Sequence, residues 1–256
     1  MTPSAIVPVE NLIFEPYASI LCYPHADPPE VESRIMELTT LGVNALEFTG
    51  DSLGKKVAMP AVPVLGKGYS GIVVLAYVGP LRLALKIRKL NSCRDDFYHE
   101  AEMLQKANGL GVGPEFVAGS KNFLLSQHIG GGLLTNWLLI HKEKTICRRV
   151  VMDILEQCRR LDEAGLNHGE LSTASGHLLM DTMDNPFIID FETASIHRTA
   201  TNVTAVSQYL FIGNNVIHSL IQEIMGDMDK GRIIKALQNY KRERTRSSFN
   251  ALLQLL

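Results

Sequence analysis

The spacing of apolar residues changes along this chain, and each change predicts a different kind of element. Val31, Ile35, Leu38 and Leu41 recur at helical spacing behind Asp27-Pro-Pro-Glu30. An acidic cap followed by prolines in the first turn is a helix start, and Gly42 supplies the stop. The short apolar runs at 18–22 and 45–49 read as strands, so residues 1–57 predict a small β-α-β-like unit. From Val62 the runs shorten, with strands predicted over 64–65, 72–78 and 83–87 and a turn at Gly79-Pro80. A helix carrying Phe97, Ala101, Leu104 and Ala107 on one face follows, then a strand over 123–129 that ends at Gly130-Gly131-Gly132. The remainder reads as helix: 145–164 up to Gly165, 203–225 with a break at Gly213-Asn-Asn, 229–240 and 247–255.

Strand-rich then helix-rich sequence predicts an α+β protein in two lobes. The expected divisions are 1–57 as an N-terminal extension, 58–129 as a β-rich lobe and 130–256 as a helical lobe. One amphipathic helix gives a marginal core, so the extension is expected to pack on the β-rich lobe. The prolines within 55–65 suit a short stiff connection.

Composition narrows the function classes. Apolar residues make up 46% and charged residues 20%, as in an ordinary globular protein. A net charge of −2 gives no whole-molecule field that would draw the chain onto nucleic acid. Cys22, Cys93, Cys147 and Cys158 form no CxxC pair, which argues against a zinc site or a disulfide framework. The first residues have no basic flank and are interrupted by Pro8 and Pro16, unlike a signal peptide, and no apolar run approaches the length of a membrane span. A cytoplasmic protein with no membrane partner is expected.

The chemistry-bearing residues come in a definite order. Gly66-Lys67-Gly68-Tyr69-Ser70-Gly71 is a GxGxxG run followed by an apolar strand containing Val73. A dinucleotide-binding version should open a helix instead, and a Walker A loop should end in Gly-Lys-Ser/Thr. A Gly-rich hairpin between strands is the arrangement that covers ATP phosphates in protein kinases. Lys86 sits in the next apolar strand, where an unpaired ammonium is costly. Of the two acids on the following helix, Glu100 lies near the apolar face and Glu102 further round, which makes Glu100 the expected partner. Asn167-His168-Gly169-Glu170-Leu171 and Ile188-Ile189-Asp190-Phe191-Glu192 follow. Asp190, leaving an apolar strand stub, suits a Mg²⁺ ligand. His168 alone reads as a structural histidine.

From about Leu65 to Ser195 the chain resembles the protein-kinase superfamily, and within it the compact atypical kinases: RIO kinases, the small kinase of the tRNA threonylcarbamoyl complex and lipopolysaccharide kinases. GKGYSGIVV, NHGELS and IIDFETAS are similar to a group of predicted archaeal serine/threonine kinases. The resemblance implies a minimal bilobal kinase-like fold with a reduced helical lobe, and ATP and Mg²⁺ as cofactors. It implies that Val73, Ala84 and Leu179 sandwich the adenine and that backbone groups from Gln127 to Ile129 act as the hinge. Lys86 would position the phosphates and Glu170 would stand at the catalytic-base position.

The pattern also departs from the family. Glu170 replaces the usual Asp, Glu192 the usual Gly, and the usual metal-binding Asn is missing, with His177 brought to its place by a longer loop. For His177, metal or phosphate binding and simple packing both stay open. No activation loop or Ala-Pro-Glu follows Ser195. The expected function is a Mg²⁺-dependent serine/threonine-kinase-like phosphotransferase of unidentified acceptor; the alternatives are a pseudokinase or an ATPase module in a larger assembly. Lys241-Arg242-Glu243-Arg244-Thr245-Arg246 reads first as a solvated helix end, and second as a contact for RNA or an acidic protein partner.

Overall fold

The computed structural model describes residues 4–50 and 62–256. The boundary expected after residue 57, and residues 55–61 of the expected stiff connection, lie outside the described residues. The chain is α+β and forms two compact units, residues 1–105 with 114–128, and residues 106–113 with 129–256.

In the first unit, β1 (Ala5–Pro8), β2 (Ala45–Phe48), β3 (Gly66–Lys67), β4 (Gly71–Val78), β5 (Leu81–Arg88), β6 (Phe116–Gly119) and β7 (Phe123–Gln127) build one antiparallel sheet. The order is β1-β2-β4-β5-β7-β6, with β3 folded back on β4. Side chains alternate between faces along a strand. Ile72, Val74 and Ala76 of β4 and Leu83, Leu85 and Ile87 of β5 therefore share one face, buried in a core with Leu12, Val31, Leu38 and Phe48. Burial of each large aliphatic side chain there contributes roughly 1.5–3 kcal/mol. The opposite face carries Val73 across from Lys86, and Leu75 across from Ala84.

The N-terminal segment differs from its expected form. Residues 18–22 are not a strand: α1 (Tyr17–Leu21) occupies them, with the Ala18 amide donating to Phe14 O at 3.1 Å and the Cys22 amide to Ala18 O at 3.0 Å. Ala18, Ile20, Leu21 and Cys22 are all buried, so no alternation existed to favour a strand, and a segment of five residues with only Ser19 polar fits either period. The strand that pairs with β2 is β1, joined antiparallel from Ala5 opposite Phe48 to Pro8 opposite Ala45. β2 in turn pairs with β4, from Ala45 opposite Tyr77 to Glu47 opposite Leu75. The strand expected at 64–65 is displaced to Gly66–Lys67.

The helix α2 (Pro28–Thr40) forms as its cap and spacing predict. Arg34, however, lies on its buried face with no exposed surface. Its guanidinium donates to Leu21 O at 2.7 Å, Arg88 O at 2.6 Å, Asn122 Oδ1 at 3.1 Å and Glu30 Oε1 at 2.8 Å. Asn122 also donates to both oxygens of Glu37 at 2.8 Å, which fastens α2 to the ends of β5 and β7. The helix α3 (Tyr98–Asn108) begins in this unit.

The second unit is mainly helical: α4 (Leu134–Ile140), α5 (Lys144–Glu163), α6 (Asn202–Ser207), α7 (Val216–Met225), α8 (Lys230–Glu243) and α9 (Arg246–Leu253). A small antiparallel sheet, β10 (Pro186–Ile188), β9 (Leu178–Met180) and β8 (Gly132–Leu133), joins them. Cys147, Val150, Val151, Ile154, Leu155, Cys158 and Leu161 form the buried stripe of α5. The expected 203–225 helix is interrupted twice, by a π-helical turn at Gln208–Ile212 and by the break at Gly213. Among the described residues no helix is long and apolar enough to cross a membrane.

Candidate functional site

In the first unit the Gly-rich run is a tight hairpin. Gly66 pairs with Val73 and Lys67 with Ile72, and the Gly68 amide donates to Gly71 O at 2.9 Å. Tyr69 at the tip is 74% exposed, whereas Ser70 is buried and its carbonyl accepts from the Lys89 amide at 3.0 Å. Gly71 has a steric reason to be glycine: a Cβ there would stand 2.9 Å from Lys86 Cγ and 3.0 Å from Ile87 O. Lys67 Nζ donates to Tyr23 Oη at 2.8 Å and sits over that ring, and this hydrogen bond, together with the lysine's charge, draws the Tyr23 phenol below its usual range.

Beneath the hairpin, Lys86 Nζ donates to both carboxylate oxygens of Glu100, at 2.9 and 2.8 Å. Their side chains are only 13% and 6% exposed, so this is a nearly buried ion pair in which neither charge tolerates loss of the other. Glu102 is exposed. Val73, Ala84 and Lys86 share the sheet face away from the N-terminal core. The Gln127 amide donates to Glu115 O at 2.8 Å, so this part of the expected hinge is already engaged; Ile129 falls in the second unit and is buried.

In the second unit the loop after α5 is held by a buried network. Asp162, at the end of α5, accepts from the Asn202 amide at 2.7 Å, Asn202 Nδ2 at 2.9 Å, the Val203 amide at 3.2 Å and Tyr240 Oη at 3.2 Å. Burial raises its carboxyl above the ordinary range, and these hydrogen bonds offset part of the rise. Asn202 Oδ1 receives the His168 amide at 2.9 Å, which fixes the start of the segment bearing Glu170. The His168 ring is fully buried, and burial pushes its pKa down to about 4. Neutral, its Nε2–H donates to Ile189 O at 3.0 Å, one residue before Asp190. His168 is thus a structural histidine that ties the two motif segments together. Gly169 at φ +95° occupies the left-handed region beside Thr193.

Glu170, His177 and Asp190 come together around these supports. His177 Nε2 lies 3.4 Å from Glu170 Oε2, and its Nδ1 lies 3.9 Å from Asp190 Oδ2. One donor atom from each residue fits within a 4.8 Å cluster. Asp190 has φ +69°, a left-handed conformation that costs about 1 kcal/mol or more for a non-glycine residue and is concentrated at functional sites. Leu179 lies half-buried on β9, two residues beyond His177. As to a metal, the two carboxylates suit Mg²⁺, which takes oxygen donors, while the imidazole nitrogen suits softer divalent ions.

The sequence reading missed Arg34, Asp162 and Asn202. Arg34 stands between Val31 and Ile35 on the apolar stripe, a position that hints at burial. Asp162 and Asn202 are forty residues apart and carry no local signal. The basic run 241–246 is not a helix end alone but the turn from α8 into α9. Arg244 donates to Ala200 O at 2.8 Å, Arg246 to both oxygens of Glu156 at 2.8 Å, and Arg242 pairs with Glu243 at 2.9 Å. Among known proteins, no family model and no curated sequence matches this chain.

Proposed function

We propose that this chain binds ATP with a divalent metal ion and acts as a kinase-like phosphotransferase. The observation that carries the reading is the Lys86–Glu100 pair, held beside a hairpin in which a Cβ at position 71 would crowd the Lys86 stem and Ile87 O. A nearly buried ammonium fixed by both carboxylate oxygens is already oriented and can receive phosphate oxygens without reorganisation. Val73 and Ala84, on the same sheet face, offer an apolar surface for the base. Asp190 would hold the metal ion, which supplies charge neutralisation at the transferring phosphoryl group. Glu170 would orient the attacking hydroxyl or water. The acceptor is not specified by these residues.

A second reading, a nucleotide-binding module without transfer, is favoured by one observation: Glu170 stands 3.4 Å from His177, an arrangement that engages the carboxylate otherwise needed as a base. Incubation with γ-phosphate-labelled ATP separates the two. Label transfer, or phosphate release, that disappears in Asp190→Ala supports the phosphotransferase. Binding without turnover supports the second reading, and absence of ATP binding overturns both.

A further inference from the structure

We infer that Tyr23 is a positioning residue for the nucleotide: through Lys67 it fastens the Gly-rich hairpin to the N-terminal segment and fixes the hairpin before any ligand arrives. The inference rests on the proposed function for what the hairpin holds. It adds which residue outside the hairpin prepares it.

Register decides which way Lys67 points. Residues directly opposite each other in an antiparallel pair project to the same side of the sheet. Gly66 is opposite Val73, which shares its face with Lys86. Lys67 is opposite Ile72, a member of the N-terminal core. The Lys67 side chain thus leaves the hairpin on the core side, away from the face that carries Lys86. There its Nζ lies 2.8 Å from Tyr23 Oη and 4.1 Å from the centre of the ring. A hydrogen bond and a cation–π contact to one side chain give a flexible ammonium a single place.

Tyr23 is itself anchored. Its ring packs against the N-terminal core, and its carbonyl accepts from the Leu90 amide at 2.8 Å, just beyond β5. A second strap comes from the residue beside Leu90. The Lys89 amide donates to Ser70 O at 3.0 Å, and Lys89 Nζ donates to Gly68 O at 3.0 Å. The hairpin is therefore held at Lys67, Gly68 and Ser70 by residues outside it.

The tether matters because three of the six hairpin residues are glycine, the residue that loses most backbone freedom on ordering. A free hairpin would lose that entropy as it closed on a ligand. A tethered one has lost it during folding, so more of the contact energy appears as affinity. Tyr23→Phe removes the hydroxyl and keeps the packed ring, which separates the tether from the core.

The test is calorimetric titration of the full chain with ATP and Mg²⁺, set beside hydrogen exchange over residues 66–71 in the free protein. Tyr23→Phe and Lys67→Met should each bind ATP about fivefold more weakly, and the double variant also about fivefold, because the two side chains act as one unit. Exchange over 66–71 should be about threefold faster or more in each variant, with the melting temperature within about 3 °C of the wild type. Lys67→Arg should restore both properties, since a guanidinium can donate to the phenol and stack on its ring. Weaker binding in Lys67→Met with wild-type binding in Tyr23→Phe would make Lys67 a direct phosphate ligand and overturn the inference. Additive losses, or unchanged exchange in both variants, would overturn it too. If one variant does not fold, the other decides by its hairpin exchange. A wild type that binds no ATP would remove the proposed function, and the exchange measurement would then decide the tether alone.

Discussion

Lys86 shows how a single residue fixes its surroundings. Its ammonium would be costly in an apolar strand, and both oxygens of Glu100 offset that cost only while the stem lies flat against Gly71. Gly71→Ala should therefore displace the lysine and weaken ATP binding about tenfold, measured by calorimetry, with a smaller loss of stability. Glu47 sets a different pH dependence. Arg82 at 2.8 Å, with Tyr77 and Ser4, holds its carboxyl down at about 2 against an ordinary 4.5. Because folded Glu47 binds its proton more weakly than the unfolded chain does, its stabilisation is complete above pH 4.5 and is lost as pH falls towards 2. Glu47→Gln should cost about 2 kcal/mol at pH 7, discounted for the half-exposed Arg82, and should flatten the stability curve across that acid window. Urea denaturation at several pH values checks this.

Elements here are positioned by a few buried polar residues as much as by apolar stripes. Asp162 links the end of α5 to the start of α6, and Asn202 passes the constraint to His168. Asp162→Ala leaves several buried donors without an acceptor and should cost about 3 kcal/mol in urea denaturation. The apolar periodicities of α2 and α5 and the Gly-rich hairpin were legible because each is a local pattern. Glu100 was legible for the same reason, since it stands one turn before Leu104. The α1 run was not legible: Ala18, Ile20, Leu21 and Cys22 are buried on both sides of Ser19, and so short a run carries no clear alternation and no second helical turn. Arg34 defeated the rule that arginines face water, because four carbonyl and carboxylate or amide oxygens meet it inside the fold. Asp162 and Asn202 meet only through tertiary structure, which no local spacing encodes.

At the scale of the whole chain, the first fifty residues belong physically to the first unit. β2 is hydrogen-bonded to β4, and Leu12, Leu21, Val31 and Leu38 cover the core face of β4 and β5. Removing residues 1–50 would expose that face and leave β4 an open edge. The truncated chain should be insoluble or should melt at least 10 °C lower by circular dichroism. A soluble truncation with an unchanged melting temperature would contradict this. In the basic turn between α8 and α9, Arg244 and Arg246 spend their charge on Ala200 O and Glu156, so exchanging these two for Gln should leave the salt slope of binding to RNA fragments unaltered.

The most direct measurement is the calorimetric titration of the full chain with ATP in the presence of Mg²⁺ or Mn²⁺, set beside Lys86→Met and Glu100→Gln. The account predicts saturable one-site binding by the wild type and at least tenfold weaker binding by Lys86→Met. Glu100→Gln should add little further loss in the double variant, since the two side chains act as one unit. No saturable binding by the wild type, or unchanged affinity in Lys86→Met, would contradict it.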